Sequence, residues 1–337
     1  SVIFREKARV FALTPSHPST SLSAIVAPMN EQPNYADDRQ LRNALGGPYD
    51  WTKTTEENFA GNYTNIGKYK HLRQTLDRTF HQTYSYVRQE FQDRIINYYV
   101  NLNSAWNRPK WTHTSRTRAT PPKPTPHNDH HNQPQPPSTP RPFVLFTAGA
   151  MGAGKSHTLR WLARTKPNFP LAGAVFVDID RVREHFPEMD EYRRRWAPTC
   201  GTLTHKEAGM ICELIWMAAL ENHQSVIIDS SLRDLAWWRQ VIASVRAGYP
   251  SYDIGLLHVV ADALVVFKRA AKRGRATGRI IPFDTLISSM RQTPVSVRAL
   301  RGSVDFFLRY DLNGREPTLV VRESNTRNAK DLPISKL

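Results

Sequence analysis

The chain has 337 residues, which suits two domains or one domain with a long extension. No run of about 18 apolar residues occurs, so we expect neither a transmembrane helix nor a membrane partner, and we expect no secretory signal. The formal net charge of +16 favours acidic partners such as nucleotides or nucleic acid, although a merely soluble, arginine-rich surface explains it equally well. Two cysteines are too few for a disulfide framework, so we expect a reducing, cytoplasmic setting.

Residues 1–107 form the first predicted region, which is mainly helical. Apolar residues recur every three or four positions from about Lys68 to Val100, which predicts one long amphipathic helix. Its polar face carries Arg73, Arg78, Arg88 and Arg94. The helix is either a basic, partner-binding surface or packed on the next domain, and we favour packing. Residues 108–142 are rich in proline and almost free of apolar residues, which is typical of a flexible linker.

From residue 143 to residue 337 the pattern changes to alternating strands and helices. Short apolar runs predict strands at Phe143–Ala148, Ala174–Asp180, Ser225–Asp229, Ile254–Val260 and Thr318–Arg322. Helices are predicted at Ser156–Arg164, Lys206–Glu221, Leu235–Ala247 and Ala263–Arg273. Strands that alternate with helices imply a parallel sheet covered on both faces, so we expect an α/β domain here.

The stretch "GAMGAGKS" follows the first of these strands and opens the first helix. Its glycine and lysine spacing is that of a P-loop, whose backbone N–H groups and helix dipole cradle phosphates. We expect Lys155 to reach the β- and γ-phosphates of ATP or GTP, and Ser156 to ligate Mg²⁺. The predicted nucleotide-binding residues are Gly149, Gly152, Ala153, Gly154, Lys155, Ser156 and His157.

Carboxylates follow the next two strands at the same sheet edge. Asp178 and Asp180 end the second strand, where one carboxylate can accept the proton of an attacking hydroxyl and the other can cap the next helix. Asp229 ends the third strand, as does the acid that holds Mg²⁺ in many P-loop proteins. Ser231 and Arg233 follow it, over the same cleft.

An arginine-rich segment follows the fourth strand and its helix, with members Arg269, Arg273, Arg275 and Arg279. Phosphoryl transfer requires positive charge near the oxygens of the transferring group. We therefore expect at least one of these guanidinium groups to contact phosphate. A solvated basic helix end, favoured by the helix dipole, is the alternative for any single one of them.

Taken together, "GAMGAGKS", "DID" with "HFPEMDE" after it, "VIIDSSLR" and "GRIIP" resemble the zeta-toxin family of P-loop kinases, over about residues 143–323. The resemblance implies an enzyme, a kinase that uses ATP or GTP with Mg²⁺ to phosphorylate a hydroxyl of a nucleotide-like small molecule, such as the UDP-sugar UDP-N-acetylglucosamine. It also implies a protein partner of the antitoxin or inhibitor type.

The same resemblance implies roles for individual residues. Asp180 falls on the catalytic base, which leaves the structural role to Asp178. Arg273 and Arg279 fall on two lid arginines that act in catalysis with Lys155. The residues that fall on substrate contacts are Glu213, Ser231 and Arg233, although Ser231 stands where the family has threonine.

Three alternatives stay open from the sequence. The related fold also serves kinases of NAD and of polynucleotide 5′-hydroxyls, and the net charge is the main support for a nucleic acid substrate. A nucleotide-binding switch without catalysis is the third alternative, and the arginine-rich segment and the paired aspartates argue against it.

Overall fold

The computed structural model describes residues 49–101 and 141–325, apart from positions 167, 168, 170, 172 and 279. The predicted linker therefore falls almost entirely outside the described residues, and so does the predicted lid residue Arg279. Within the described ranges, no helix combines the length and the apolar character that a membrane crossing requires.

The described N-terminal residues form three helices and two short paired strands. In chain order they are α1 (Thr55–Phe59), β1 (Ala60–Gly61), α2 (Lys70–Thr75), β2 (Thr83–Tyr84) and α3 (Tyr86–Asn101). The prediction of one helix from Lys68 to Val100 is therefore wrong. The chain leaves α2 at Leu76, whose backbone is extended, and Asp77 then accepts hydrogen bonds from the amide and hydroxyl of Thr79, which stabilises a turn.

A six-stranded sheet forms the centre of the remaining chain. Its strands are β3 (Phe143–Ala148), β4 (Val175–Asp178), β5 (Val226–Asp229), β6 (Asp253–Val260), β7 (Phe306–Asp311) and β8 (Thr318–Ser324). They lie in the order β4-β5-β3-β6-β7-β8, and all neighbours are parallel except β7 and β8. The predicted parallel sheet is confirmed, and it carries an antiparallel edge strand.

Eight helices connect the strands of this sheet in the described residues. They are α4 (Lys155–Thr165), α5 (Ile179–Arg183), α6 (Met189–Trp196), α7 (Cys200–Leu203), α8 (His205–Glu221), α9 (Leu235–Gly248), α10 (Ala263–Thr277) and α11 (Phe283–Leu300). All five predicted strands and all four predicted helices are found. Strand β3 has the predicted limits, and the other elements begin and end within a few residues of theirs. The strand predicted at Ala174–Asp180 ends earlier, at Asp178, because α5 begins at Ile179.

Hydrophobic clusters cover both faces of the sheet. Side chains alternate along a strand, so Val144 and Phe146 of β3 face one cluster, and Phe143 and Leu145 face the other. This two-sided burial explains why the strands are near-continuous apolar runs.

Helices α2 and α3 complete the first of these clusters. Leu72, Ile95 and Ile96 are buried in the same cluster as Ile211 and Leu214 of α8. The interpretation that the N-terminal helical segment packs on the next domain is thereby confirmed, although two helices do the packing.

A buried ion cluster fixes α3 against the α/β part of the chain. The Arg88 side chain is 5% exposed; its Nε lies 2.7 Å from Oε1 of Glu207, and its Nη1 lies 2.7 Å from Oε1 of Glu188. Arg73 is equally buried, beside Asp93. These two arginines therefore do not belong to a basic, partner-binding surface, the alternative that we did not favour, because they are buried beside carboxylates that compensate their charges.

Candidate functional site

The loop between β3 and α4 has the backbone of a phosphate cradle. Gly149 and Gly154 have φ angles of 151° and 102°, which favour glycine. A Cβ at Gly149 would lie 2.5 Å from the carbonyl oxygen of Val259, and one at Gly154 would lie 2.3 Å from Cδ2 of Leu312. A larger residue at Gly149 would therefore clash with the backbone of β6, and one at Gly154 would displace the Leu312 side chain, so these glycines let the loop lie close against the sheet edge.

Lys155 and Ser156 begin α4 at the mouth of this loop. Nζ of Lys155 donates to the carbonyl oxygen of Gly149 over 3.1 Å, which folds the ammonium group back over the loop. The Ser156 hydroxyl donates to Oδ2 of Asp229 over 3.1 Å. The P-loop serine and the acid that ends β5 thus meet directly. Of the other predicted nucleotide-binding residues, Ala153 is buried in the loop and His157 is half-buried on the first turn of α4.

Thr147 is a part of this site that the sequence interpretation missed. Its buried hydroxyl donates to Oδ1 of Asp229 over 2.8 Å and accepts from the Ser230 amide over 3.0 Å. Both oxygens of Asp229 are therefore held, one by β3 and one by the P-loop serine. A hydroxyl residue inside the otherwise apolar run "FVLFTA" was the available signal.

The oxygens of Ser156 and Asp229 fit the chemistry of a Mg²⁺ ion, which takes hard oxygen ligands and usually only one or two from protein. No group of three or more His, Cys, Asp or Glu side chains that could hold a metal occurs in the described part of the chain. An ion held by these two protein oxygens would take further ligands from phosphate and water.

Asp178 ends β4 beside Asp229, its register partner on β5. Its Oδ1 accepts the Asp180 amide over 2.8 Å, which caps the N-terminus of α5. Burial, and then the charges of Asp229 and Asp180, raise the pKa of Asp178 to about 7. One of the paired aspartates is thus a helix cap, as the sequence interpretation allowed.

Asp180 lies in the first turn of α5 and not at the end of the strand, where the sequence analysis placed it. Its two carboxylate oxygens bind two different arginines. Oδ1 accepts from Nη1 of Arg183 over 2.6 Å, and Oδ2 accepts from Nη2 of Arg273 over 2.6 Å. Arg183 is buried and also contacts His205, whereas the Arg273 side chain is 49% exposed on α10. Oδ1 is thus held by a buried arginine and Oδ2 by an exposed one.

The arginine-rich helix α10 reaches the P-loop through a second residue. Nη1 of Arg269 donates to the carbonyl oxygen of Ala153 over 3.2 Å. Arg273 and Arg269 thus connect α10 to the D-x-D segment and to the P-loop, respectively. Arg275 is exposed.

The segment after β5 is tied to the P-loop through its backbone. The Ser231 carbonyl accepts from the Thr293 hydroxyl over 2.8 Å and from the Gly149 amide over 3.4 Å, and the Arg233 carbonyl accepts from Ser296 over 3.2 Å. Between them, Leu232 is buried and has a φ of 55°, a conformation that costs energy for a leucine. The segment is therefore held firmly against α11.

Glu213 lies in the middle of α8, where its Oε1 is 2.9 Å from Nε2 of His81. His81 belongs to the N-terminal part of the chain and has no counterpart in any of the motifs. The contact between His81 and Glu213 could not be predicted from the sequence because the two residues are 132 positions apart.

The parallel sheet carries this loop after its first strand, β3, and an acid at the end of each of the next two strands, β4 and β5. This is the architecture of a P-loop phosphotransferase. The zeta toxin family profile matches residues 128–314, which is more than half of the chain. The chain belongs to the zeta toxin family.

Solved structures of low sequence identity align with parts of this chain. A complex of AvrRxo1-ORF1 with AvrRxo1-ORF2, crystallised with sulphate ions, aligns with a TM-score of 0.50 and 10% identity over 82% of this chain and 80% of that chain. The toxin–antitoxin system PezAT of Streptococcus pneumoniae aligns with a TM-score of 0.45 and 17% identity over 57% of this chain and 76% of that chain. Curated protein sequences gave no significant match.

Proposed function

We propose that the protein transfers the γ-phosphoryl group of ATP or GTP to a hydroxyl of a nucleotide-like small molecule. A UDP-sugar such as UDP-N-acetylglucosamine is the acceptor that we favour, because the residues resembling the family's substrate contacts are present as Glu213, Ser231 and Arg233. The observation that carries the proposal is the meeting of Asp180 and Arg273 beside a P-loop whose serine is bonded to Asp229.

In the proposed reaction Asp180 is the general base. The acceptor oxygen forms a bond to the γ-phosphorus, its proton passes to a carboxylate oxygen of Asp180, and the bond from the γ-phosphorus to the bridging oxygen breaks to release the nucleoside diphosphate. Buried Arg183 holds Oδ1, so Oδ2 is the oxygen that receives the proton after Arg273 leaves it.

Arg273 and Lys155 have bonds within the protein that phosphate oxygens can replace. Lys155 now donates to a backbone carbonyl and Arg273 to the base. Nucleotide binding offers Lys155 an anion in place of a carbonyl and offers Arg273 several phosphate oxygens in place of one carboxylate oxygen, so it would free the base at the moment when the phosphoryl donor is in place. When Mg²⁺ is bound at Ser156 and Asp229, it would supply neutralisation of the phosphate charge.

The test is a turnover assay with γ-labelled ATP and, separately, γ-labelled GTP. The acceptors are a panel of UDP-sugars, NAD and short oligonucleotides with 5′-hydroxyl ends. We expect label in a UDP-sugar, and no transfer by Lys155→Ala. Label in NAD or in an oligonucleotide would replace the acceptor class that we favour but keep the kinase. Tight nucleotide binding without transfer to any acceptor would contradict the kinase proposal.

We also propose an inhibitory protein partner, because such a kinase would consume a common metabolite of the cell that makes it. The expected outcome is growth arrest when the wild-type chain is produced alone, and no arrest with Lys155→Ala. Equal growth with both forms would remove the reason to expect an inhibitor.

A further inference from the structure

The N-terminal part of the chain reaches the side chain that we propose as an acceptor contact. His81 follows the turn after α2, and its side chain is 1% exposed. Its Nε2 lies 2.9 Å from Oε1 of Glu213 on α8. The Nδ1 atom of His81 is buried and has no hydrogen-bond partner among the described residues. A carboxylate accepts, so Nε2 carries the proton in this pair.

Glu213 lies near the D-x-D segment. One helical turn before it, a Cβ placed at Gly209 would be 4.0 Å from Cδ1 of Ile179, the residue between the paired aspartates. Gly209 and Glu213 are four positions apart and therefore share a face of α8. The pKa of the adjacent Cys212 is raised by burial and then by the charge of Asp178, which agrees with this closeness.

One oxygen of Glu213 stays available for a ligand. Oε1 binds His81, whereas Oε2 accepts no hydrogen bond from any described residue. The Glu213 side chain is 16% exposed, so it has limited access to solvent. Because His81 is packed in place, its bond fixes the direction in which Oε2 points.

We infer that His81 is a positioning residue for the phosphoryl acceptor, holding Glu213 so that Oε2 receives a hydroxyl or amide hydrogen of the acceptor. This inference rests on the proposed function, since it needs an acceptor at Glu213. It makes the N-terminal part of the chain a component of the acceptor site, in addition to its packing role.

The experiment compares two histidine–glutamate pairs on the same helix. His71 binds Glu221 of α8 over 3.0 Å, but both side chains are largely exposed, so His71→Leu is the matched control for His81→Leu. The readouts are KM for the acceptor found in the turnover panel, KM for ATP, and the melting temperature. We expect His81→Leu to raise the acceptor KM about tenfold, because a hydrogen bond to a charged group is lost. The KM for ATP should stay unchanged.

Two further variants separate positioning from stability. His81→Gln can again present an N–H to Glu213 and should recover most of the acceptor KM, whatever its melting temperature. Glu213→Gln should raise the acceptor KM itself, and the double variant with His81→Leu should be no worse than the poorer single variant.

The outcomes distinguish the two levels of the proposal. A lower melting temperature with an unchanged acceptor KM in His81→Leu would overturn the inference and leave the kinase intact. An unchanged acceptor KM in Glu213→Gln would overturn both the inference and the assignment of Glu213 as a substrate contact. If no acceptor in the panel is phosphorylated, the proposed function fails and the inference fails with it.

Discussion

At the residue scale, the paired aspartates after β4 have separate partners and therefore separate expected roles. Asp178 accepts a backbone amide and caps α5, whereas Asp180 accepts from the side chains of Arg183 and Arg273. A cap acts on stability, and a base acts on the chemical step. Variants of the two residues should therefore change different measurements.

We predict that Asp180→Asn lowers kcat about 10²–10⁴-fold, since that is the typical contribution of a general base. ATP binding by calorimetry should be retained, because Asp180 is assigned to the acceptor. Asp178→Ala should lower the free energy of unfolding by about 1 kcal/mol, the usual cost of a lost N-cap. Asp178→Asn keeps a capping side chain and serves as its control. If the Asp178→Asn enzyme binds ATP but has no turnover, Asp178 and not Asp180 is the base, and the two assignments are reversed.

At the element scale, α10 connects the P-loop to Asp180, the proposed base. Arg269 binds the backbone of the loop, and Arg273, one turn later, binds Asp180. The exposed position of Arg273 allows it to exchange the carboxylate for phosphate. We therefore propose that this helix acts as a lid whose position depends on the nucleotide.

We predict that Arg273→Gln lowers kcat about 10²–10³-fold, the typical cost of removing one donor to a developing negative charge. The exposed Arg275 on the same helix supplies the matched control, and Arg275→Gln should keep at least most of the wild-type rate. Initial rates at saturating ATP and acceptor measure both. Equal losses in the two variants would indicate a general effect of basic charge and would contradict a specific role for Arg273.

The ion cluster between α3 and α8 supports a second prediction at this scale. Arg88→Met leaves the buried carboxylates of Glu188 and Glu207 without their cation, which should lower the free energy of unfolding by about 3–5 kcal/mol. Neutralising all three groups in Arg88→Met/Glu188→Gln/Glu207→Gln should recover a large part of that loss. Urea denaturation followed by circular dichroism measures both variants. A single variant as stable as wild type would show that Arg88 contributes no net stabilisation.

The elements that the sequence predicts well are those whose signal is local. The run "FVLFTA" is apolar on both faces, and β3 is found at its expected ends. The run "FFLRYD" contains Arg309 and Asp311 and was not assigned as a strand, because these charged residues interrupt its apolar pattern; in β7 Arg309 is exposed. The residues from Lys68 to Val100 kept a helical period across the turn at Asp77, so hydrophobic spacing alone suggested one helix.

At the scale of the whole molecule, the P-loop, the paired aspartates and Asp229 could be predicted because each motif is continuous in sequence. Arg88 and His81 could not, since they meet Glu207 and Glu213 across 119 and 132 positions. Their partners became visible only when α2 and α3 were placed against α8. The N-terminal residues thus contribute to the core and, as we infer, to the site.

The last prediction concerns the division of the chain into residues 1–107, a linker at 108–142 and residues 143–337, which remains a hypothesis from composition. Residues 49–101 share a hydrophobic cluster and a buried ion cluster with the α/β part. These contacts do not need chain continuity through the proposed linker. A protease site introduced between residues 115 and 135 should therefore be cut readily, as proline-rich polar segments are.

After the cut, we expect the two pieces to elute together in gel filtration with unchanged kcat, because the shared clusters hold them together. The same cut made in the Arg88→Met background is the sensitive comparison. In that variant the two pieces should bind each other more weakly, because the ion cluster between them is lost, and they should separate on dilution. Resistance to cleavage would contradict a flexible linker. Separation of the wild-type pieces with retained activity in the larger one would contradict both the shared core and the role of His81 in the acceptor site.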